Sequence, residues 1–185
     1  MSKKTICTVL GTRPEIIKLA PLIPLLDEHP RFHQVLLHTG QHYSFAMDAV
    51  FFAELGLRRA DVQLSVGSSS HAVQTAAILT GVEQAISTHG IELMLVLGDT
   101  NSTLGAALAA AKLSVPVVHI EAGCRSFVRS MPEEINRVLV DHSAAQLLAP
   151  NEAARRQLTH EGIDEADITV VGSTAIDAAR AFASR

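Results

Sequence analysis

Four short stretches of the chain combine glycine with charged or polar side chains. They are Gly-Thr-Arg-Pro-Glu at 11–15, Thr-Gly-Gln-His-Tyr at 39–43, Gly-Asp-Thr-Asn at 98–101 and Glu-Ala-Gly-Cys-Arg at 121–125. A carboxylate in such a position can remove or return a proton, and a cation can hold a phosphate. The set therefore indicates acid–base chemistry beside an anion-binding site.

The first stretch continues as Ile-Ile-Lys and has two interpretations. A glycine turn that leads into a helix N-terminus suits a diphosphate or another anion, and Arg13 and Lys18 add positive charge there. Alternatively, Thr12 and Glu15 form a capping box with Pro14 in the first helical turn. Capping leaves Arg13 and Lys18 without a role, so we predict anion binding for these two residues.

Asp99 and Glu121 each follow an apolar run at the predicted end of a strand. For Asp99, acid–base chemistry and capping of the next helix are equally good interpretations. For Glu121, a functional role competes with a simple ion pair to Arg125, and Gly123 would let a ligand approach closely. His119 lies inside the strand, where a hydrogen-bonded core histidine is a better interpretation than a ligand.

For two other groups of residues, a functional role and a purely structural role both remain open. Glu133 and Arg137 lie one helical turn apart, so they could form an ion pair below a capping box from Ser130, or they could face the site. After the second predicted strand, Gln41 and His42 precede a tyrosine. His42 could donate to a phosphate or a sugar hydroxyl, or it could be a solvated turn residue.

Apolar β-branched runs alternate with helical patterns along the whole chain. We predict strands at 5–10, 34–38, 93–97, 117–120, 146–149 and 168–171, and helices at 14–28, 45–55, 72–88, 103–113, 132–143, 151–161 and 174–184. Short, continuously apolar strands between helices are typical of a doubly wound parallel α/β sheet, covered on both faces. Ligands of such sheets bind at the carboxyl ends of the strands, where all four stretches fall.

Composition narrows the class of protein. The chain has 185 residues, a formal net charge of −4 and 48% hydrophobic residues, which fits one folded domain and no nucleic-acid partner. Charged residues are only 18%, as expected for a buried sheet or a hidden interface. No apolar run is long enough to span a membrane. Cys7 and Cys124 lack metal-ligand spacing, and we interpret them as reduced thiols of a cytoplasmic protein.

Taken together and in order, these motifs resemble the non-hydrolysing UDP-N-acetylglucosamine 2-epimerase family. The resemblance rests on Gly-Thr-Arg-Pro-Glu-Ile-Ile-Lys at 11–18, Thr-Gly-Gln-His at 39–42, Gly-Asp-Thr at 98–100, Glu-Ala-Gly at 121–123, Pro-Glu-Glu-Ile-Asn-Arg at 132–137 and Val-Gly-Ser-Thr-Ala-Ile-Asp at 171–177. It covers essentially the whole chain. The stretches at 39–43 and 125–134 look more like the branch that acts on a UDP-diacetamido-glucuronate.

The resemblance implies inversion at C2 of UDP-N-acetylglucosamine (UDP-GlcNAc), by elimination and re-addition of UDP, without a metal or other cofactor. It implies Asp99, Glu121 and Glu133 as the catalytic carboxylates. It further implies that cations and polar groups bind the substrate: Arg13, Lys18, Gln41, His42 and Arg137.

The family's fold is of the glycosyltransferase-B type, with two Rossmann-like domains and the site between them. On this resemblance, residues 1–185 form the N-terminal domain alone, the C-terminal UDP-binding domain would be supplied in cis or in trans, and a homodimer is expected. Two other functions remain open: a non-catalytic nucleotide-sugar-binding module, and a structural subunit that dimerises through a helix such as 45–55 or 103–113.

Overall fold

The computed structural model describes residues 3–41 and 45–183, with the backbone alone for 45–49. The strands are β1 (Lys4–Leu10), β2 (Phe32–His38), β3 (Val62–Gln63), β4 (Leu93–Leu97), β5 (Val117–Ile120), β6 (Gln146–Ala149) and β7 (Ile168–Val170). The helices are α1 (Arg13–Leu19), α2 (Leu22–Glu28), α3 (Phe45–Glu54), α4 (His71–His89), α5 (Asn101–Lys112), α6 (Pro132–Asp141), α7 (Glu152–His160) and α8 (Thr174–Phe182).

The strands form one seven-stranded sheet in the order β3-β2-β1-β4-β5-β6-β7. Every pairing is parallel, with Ile6 opposite Leu93 and Leu97 opposite Ile120. The strand order reverses between β1 and β4, so a crevice opens there at the carboxyl end of the sheet. The predicted doubly wound α/β class is confirmed. The prediction missed β3, because two residues carry no recognisable apolar run.

The sheet is apolar on both faces because successive side chains along a strand point in opposite directions. On β4, Met94 and Val96 join the core beneath α4 and α5. Leu95 and Leu97 join the opposite core, beneath α1 and α2. A strand buried on both sides therefore shows a continuous apolar run, as the sequence does at 93–97.

The single helix predicted over 14–28 is two helices, α1 and α2. Pro21 stands between them and is the N-cap of α2. Proline has no backbone N–H to donate to the preceding turn, and its ring crowds the carbonyl four residues earlier. The apolar periodicity of 14–28 continues across this break, which is why the pattern alone suggested one helix.

Helix α5 packs closely against the sheet and α4 through small side chains. Its residues from Asn101 to Ala110 are buried except Leu108, and a Cβ added to Gly105 would lie 2.7 Å from Ile78 Cγ2. The small side chains of α5 thus serve packing inside the domain. Dimerisation through this helix is not supported, because so little of it reaches the surface.

Candidate functional site

The turns after β1 and β4 meet because glycine stands at their contact. A Cβ added to Gly11 would lie 1.9 Å from Oγ of Ser102 and 2.6 Å from Oγ1 of Thr39. No side chain fits in that space, so only glycine lets the β1–α1 turn reach the start of α5. The two hydroxyls are themselves hydrogen-bonded at 2.8 Å.

Glu15 holds these two turns together. The capping box with Thr12 is present, but the carboxylate does more than cap. Its Oε2 accepts from the backbone N–H groups of Gly11 (2.8 Å) and Thr12 (2.7 Å), and its Oε1 accepts from the Thr100 hydroxyl at 2.7 Å. Burial raises the pKa of Glu15, and these hydrogen bonds partly oppose that rise. The sequence indicated only the local cap, because Thr100 is 85 residues away.

Lys18 and Glu121 form the first ion pair of the site, with Nζ 2.7 Å from Oε2. Glu121 adopts a φ of 67°, in the left-handed region that residues other than glycine rarely occupy. The alternative pairing of Glu121 with Arg125 is wrong. Arg125 lies instead against Asp141 at 2.7 Å and Glu161 at 2.5 Å.

Asp99 and Arg137 form the second ion pair. The Arg137 guanidinium lies 2.5 Å from Oδ2 of Asp99 and donates a second bond of 2.9 Å to Glu134. These carboxylates raise the pKa of Arg137 although its burial opposes the charge. Asp99 does not cap α5, because Thr100 occupies the N-cap. Asn136 also contacts Asp99, donating to its carbonyl oxygen at 2.8 Å.

Of the two adjacent glutamates on α6, Glu134 is buried and Glu133 is exposed. Although burial alone would raise the pKa of Glu134, the N–H groups of Ser126 and Phe127 and the Arg137 guanidinium lower it to about 2. Glu133 has no hydrogen-bond or ion-pair partner within residues 3–41 and 45–183. The suggested capping box from Ser130 and the Glu133–Arg137 pair are both wrong: the N-cap is Met131, whose side chain makes no cap.

The other predicted binding residues follow the carboxyl ends of β1 and β2. Arg13 begins α1, and its Cζ atom lies 5.2 Å from the centroid of the Phe51 ring. Gln41 is buried, and its Oε1 accepts from the backbone N–H and hydroxyl of Ser102 at 3.0 and 2.7 Å. Gln41 therefore supports the start of α5 whatever else it binds. His42 lies outside the described residues.

The two ion pairs flank Gly98, which separates β4 from Asp99. A Cβ added to Gly98 would lie 3.8 Å from Oε2 of Glu121. Two carboxylates, each beside its own cation, thus follow the carboxyl ends of the neighbouring strands β4 and β5. Ionised carboxylates can accept protons, and the cations can hold an anionic group next to them. No cluster of histidine, cysteine and acidic residues suited to a metal occurs in the part of the chain that the structure describes.

An all-parallel sheet with a charged site at the reversal of its strand order defines a Rossmann-like α/β domain. Comparison with known proteins identifies its family. The family model described as UDP-N-acetylglucosamine 2-epimerase matches residues 25–185, and the chain belongs to that family.

Individual relatives agree with the family. The chain is 49% identical, over 92% of its length, to a UDP-N-acetylglucosamine 2-epimerase of Methanocaldococcus jannaschii, of which it covers 46%. It is 41% identical, over 97% of its length, to a UDP-2,3-diacetamido-2,3-dideoxy-D-glucuronate 2-epimerase of Pseudomonas aeruginosa, of which it covers 51%. The chain thus spans about half the length of these relatives.

Solved structures show the same relationship. The M. jannaschii UDP-GlcNAc 2-epimerase in complex with UDP-GlcNAc and UDP matches with a TM-score of 0.92 and 46% identity, over 96% of this chain and 49% of that one. MurG of Acinetobacter baumannii matches with a TM-score of 0.62 at 10% identity, over 92% of this chain and 45% of that one, which shows a shared fold alone. The predicted fold class, half of a glycosyltransferase-B-type fold, is confirmed. No helix among the described residues is long and apolar enough to cross a membrane.

Proposed function

We propose that residues 1–185 are the N-terminal domain of a nucleotide-sugar 2-epimerase that interconverts UDP-GlcNAc and UDP-N-acetylmannosamine. The observation that carries the proposal is the pair of carboxylate–cation contacts, Glu121–Lys18 and Asp99–Arg137, on either side of Gly98. Inversion at C2 needs a proton to leave one face of the sugar and return to the other. Two separately held carboxylates supply that requirement.

The reaction divides into an elimination and its reverse. A carboxylate removes the C2 proton, the electrons of that bond form the C1–C2 double bond, and the C1–oxygen bond breaks with its electron pair on UDP. Re-addition of UDP to C1 and of a proton to the other face of C2 gives the epimer. We assign the carboxylate roles to Asp99, Glu121 and Glu133. The departing diphosphate is stabilised by Arg13, Lys18 and Arg137.

Binding of the uridine moiety is assigned to a complementary C-terminal domain, joined in cis or supplied in trans. The support for it is that the chain covers 46% to 51% of its relatives. Gln41 and His42 are assigned to the substrate as well, on their motif. Two unpaired cysteines fit the reducing cytoplasm, where we place the protein.

Proton exchange at C2 tests the function directly. UDP-GlcNAc in heavy water is incubated with the chain alone, and with the chain plus the C-terminal half of the M. jannaschii enzyme. We expect loss of the C2 proton signal and formation of UDP-N-acetylmannosamine in the complemented sample. Binding of UDP-GlcNAc without exchange in that sample would contradict epimerisation and support a non-catalytic sugar-nucleotide module.

The second candidate substrate is a UDP-2,3-diacetamido-glucuronate. The 41% identity to the P. aeruginosa enzyme favours it, and the 49% identity to the M. jannaschii enzyme favours UDP-GlcNAc. Parallel assays with both sugars, complemented by the matching C-terminal half, distinguish them by the ratio of their kcat/KM values.

We also propose that the domain forms a homodimer. The support is a row of exposed apolar side chains one turn apart on α6 and its N-cap, Met131, Ile135 and Leu139, continued by Phe127 and Val128 before the helix. Ile135→Glu is expected to yield monomers, measured by light scattering against Glu165→Gln as the control. A wild-type monomer at micromolar concentration would contradict the dimer.

A further inference from the structure

A buried histidine lies next to the loops that carry Asp99 and Glu121. His119 lies on β5, two residues before Glu121, and its side chain is 1% exposed. Its Nε2 lies 2.8 Å from the carbonyl oxygen of Gly98, and its Nδ1 lies 2.6 Å from Oδ1 of Asp141 on α6. The sequence predicted a hydrogen-bonded core histidine, and that is confirmed, but it did not indicate these partners.

Both partners of the imidazole are acceptors, which determines where its protons must be. A carbonyl oxygen can only accept, so Nε2 carries a hydrogen. Asp141 already takes a bond from the Gly123 N–H at 3.1 Å and contacts the Arg125 guanidinium at 2.7 Å. Although burial opposes ionisation, the Arg125 guanidinium lowers the pKa of Asp141. Because the carboxylate is ionised, Nδ1 must carry a hydrogen as well.

The balance of charge around His119 is consistent with the same conclusion. Asp141 and Arg125 are each at most 2% exposed, and Arg125 also pairs with Glu161 at 2.5 Å. With an imidazolium, His119 and Arg125 balance Asp141 and Glu161; the exposed His142 also lies 3.6 Å from Glu161. With a neutral imidazole, Arg125 alone would balance the buried Asp141 and the 20% exposed Glu161, and one negative charge beside a buried carboxylate would lack a partner, which is costly.

Both peptide groups of Gly98 form hydrogen bonds with residues of β5. Its N–H donates to the Ile120 carbonyl at 3.0 Å, and its own carbonyl accepts from His119 at 2.8 Å. Its φ of 76° turns the chain sharply out of β4. The direction in which Asp99 leaves the sheet therefore depends on these two bonds.

We infer that His119 is a doubly protonated positioning residue, an imidazolium anchored on Asp141 that fixes the Gly98 carbonyl and so aims the Asp99 carboxylate. It touches no substrate atom. Its importance for catalysis rests on the proposed function, whereas its charge state and its bond to Gly98 do not. The two parts are therefore tested separately.

The charge state is measured on the wild-type chain, without any variant or substrate. Histidine is labelled with ¹⁵N, and long-range proton–nitrogen correlation spectra are recorded at neutral pH. We expect one histidine with hydrogen on both ring nitrogens and slow exchange with solvent, and His119→Gln identifies it by loss of its signals. A neutral single tautomer for His119 would overturn the inference.

Removing the counter-charge tests the link to Asp99. The Asp99 amide nitrogen shares its peptide bond with the Gly98 carbonyl, so its ¹⁵N shift reports on the hydrogen bond from His119. Asp141→Asn is expected to leave one hydrogen on the ring and to move the Asp99 amide resonance. Asp177→Asn, on the exposed face of α8, is the matched control and should do neither. A folded Asp141→Asn variant with both signals unchanged would refute the anchoring.

Turnover by the complemented epimerase then tests whether His119 positions Asp99. His119→Gln retains a neutral donor but not the charge, and we expect kcat to fall on the order of 10-fold to 100-fold while KM stays within about 3-fold. An unchanged kcat would overturn the positioning role. If the wild-type assembly itself shows no epimerisation, the proposed function fails, while the spectra still decide the charge state.

Discussion

Lys18 and Glu121 are 103 residues apart in the chain, yet their charged atoms lie 2.7 Å apart. Lys18 comes from the helix after β1, and Glu121 follows β5, so their contact spans the carboxyl end of β4, which lies between these two strands in the sheet. Asp99 and Arg137 make an equivalent contact beside it. Each carboxylate pairs with a cation that stands on a different element of the fold.

Replacing Lys18 with Met separates the function of the ion pair from its contribution to stability. Both side chains are partly exposed, at 28% and 19%, so the free energy of unfolding should fall by no more than about 1 kcal/mol. Turnover by the complemented enzyme should fall on the order of 100-fold, because a cation beside the leaving diphosphate is lost. Lys18→Arg is the control that keeps the charge. Equal activity of Lys18→Met and the wild type would contradict a role of Lys18 in stabilising the diphosphate.

Asp99→Asn should abolish C2 exchange while leaving the fold intact. The amide keeps the shape and still accepts from Arg137, but it cannot take up a proton. We expect a loss on the order of 1,000-fold in kcat, measured by NMR in heavy water, with an unchanged circular dichroism spectrum. Wild-type exchange in this variant would remove Asp99 from the mechanism.

Arg13→Ala should weaken the binding of the UDP-sugar without unfolding α1. Arg13 is the first residue of α1, and its guanidinium adds positive charge at the carboxyl end of β1. Loss of one charge-assisted contact predicts a rise in Kd of about 10-fold by titration calorimetry on the complemented protein. Arg129→Ala, in the exposed loop before α6, serves as the control, and an unaltered Kd for Arg13→Ala would refute the anion-binding role.

Glu133→Gln should reduce turnover but not stability. Its side chain is exposed and has no partner among the residues described, so the fold does not depend on it. If it exchanges a proton with the sugar, kcat should fall about 100-fold or more while the unfolding midpoint stays unchanged. Full activity would remove Glu133 from the catalytic set and leave Asp99 and Glu121.

Glu134→Gln, in contrast, should lower the free energy of unfolding, and the size of this loss should depend on pH. The pKa of Glu134 is depressed in the fold to about 2, from an ordinary 4.5. Its ionised form therefore stabilises the fold above about pH 5, and that stabilisation is lost as the pH falls toward 2. The variant should unfold more easily by about 2 kcal/mol near neutral pH, because a buried charged hydrogen-bond acceptor is lost.

Denaturant titrations of wild type and Glu134→Gln between about pH 3 and pH 8 check this dependence. The difference in the free energy of unfolding should be constant above about pH 5 and shrink below it. A difference that grows as the solution becomes more acidic would show that Glu134 is not the group responsible.

The sheet and its helices were predictable because continuous apolar runs determine buried parallel strands. The location of the site at the ends of β1, β4 and β5 followed from the same rule. What the residues touch was not predictable, since the partners of Glu15 and Arg125 lie on distant elements. Helical periodicity also could not tell which of Glu133 and Glu134 turns inward. The catalytic and binding roles stay predictions, and the family resemblance alone suggested a role for Glu133.

The position of β1 in the middle of the sheet has a consequence for how the protein is made. β1 is synthesised before both of its neighbours in the sheet, and β4 pairs with it only from Leu93 onward. Until then the nascent chain carries an unpaired apolar strand edge, which invites aggregation. Arg137, the last member of the second ion pair, is translated later still. Slower synthesis at low temperature, or a chaperone that shields this edge, should therefore raise the yield of folded chain.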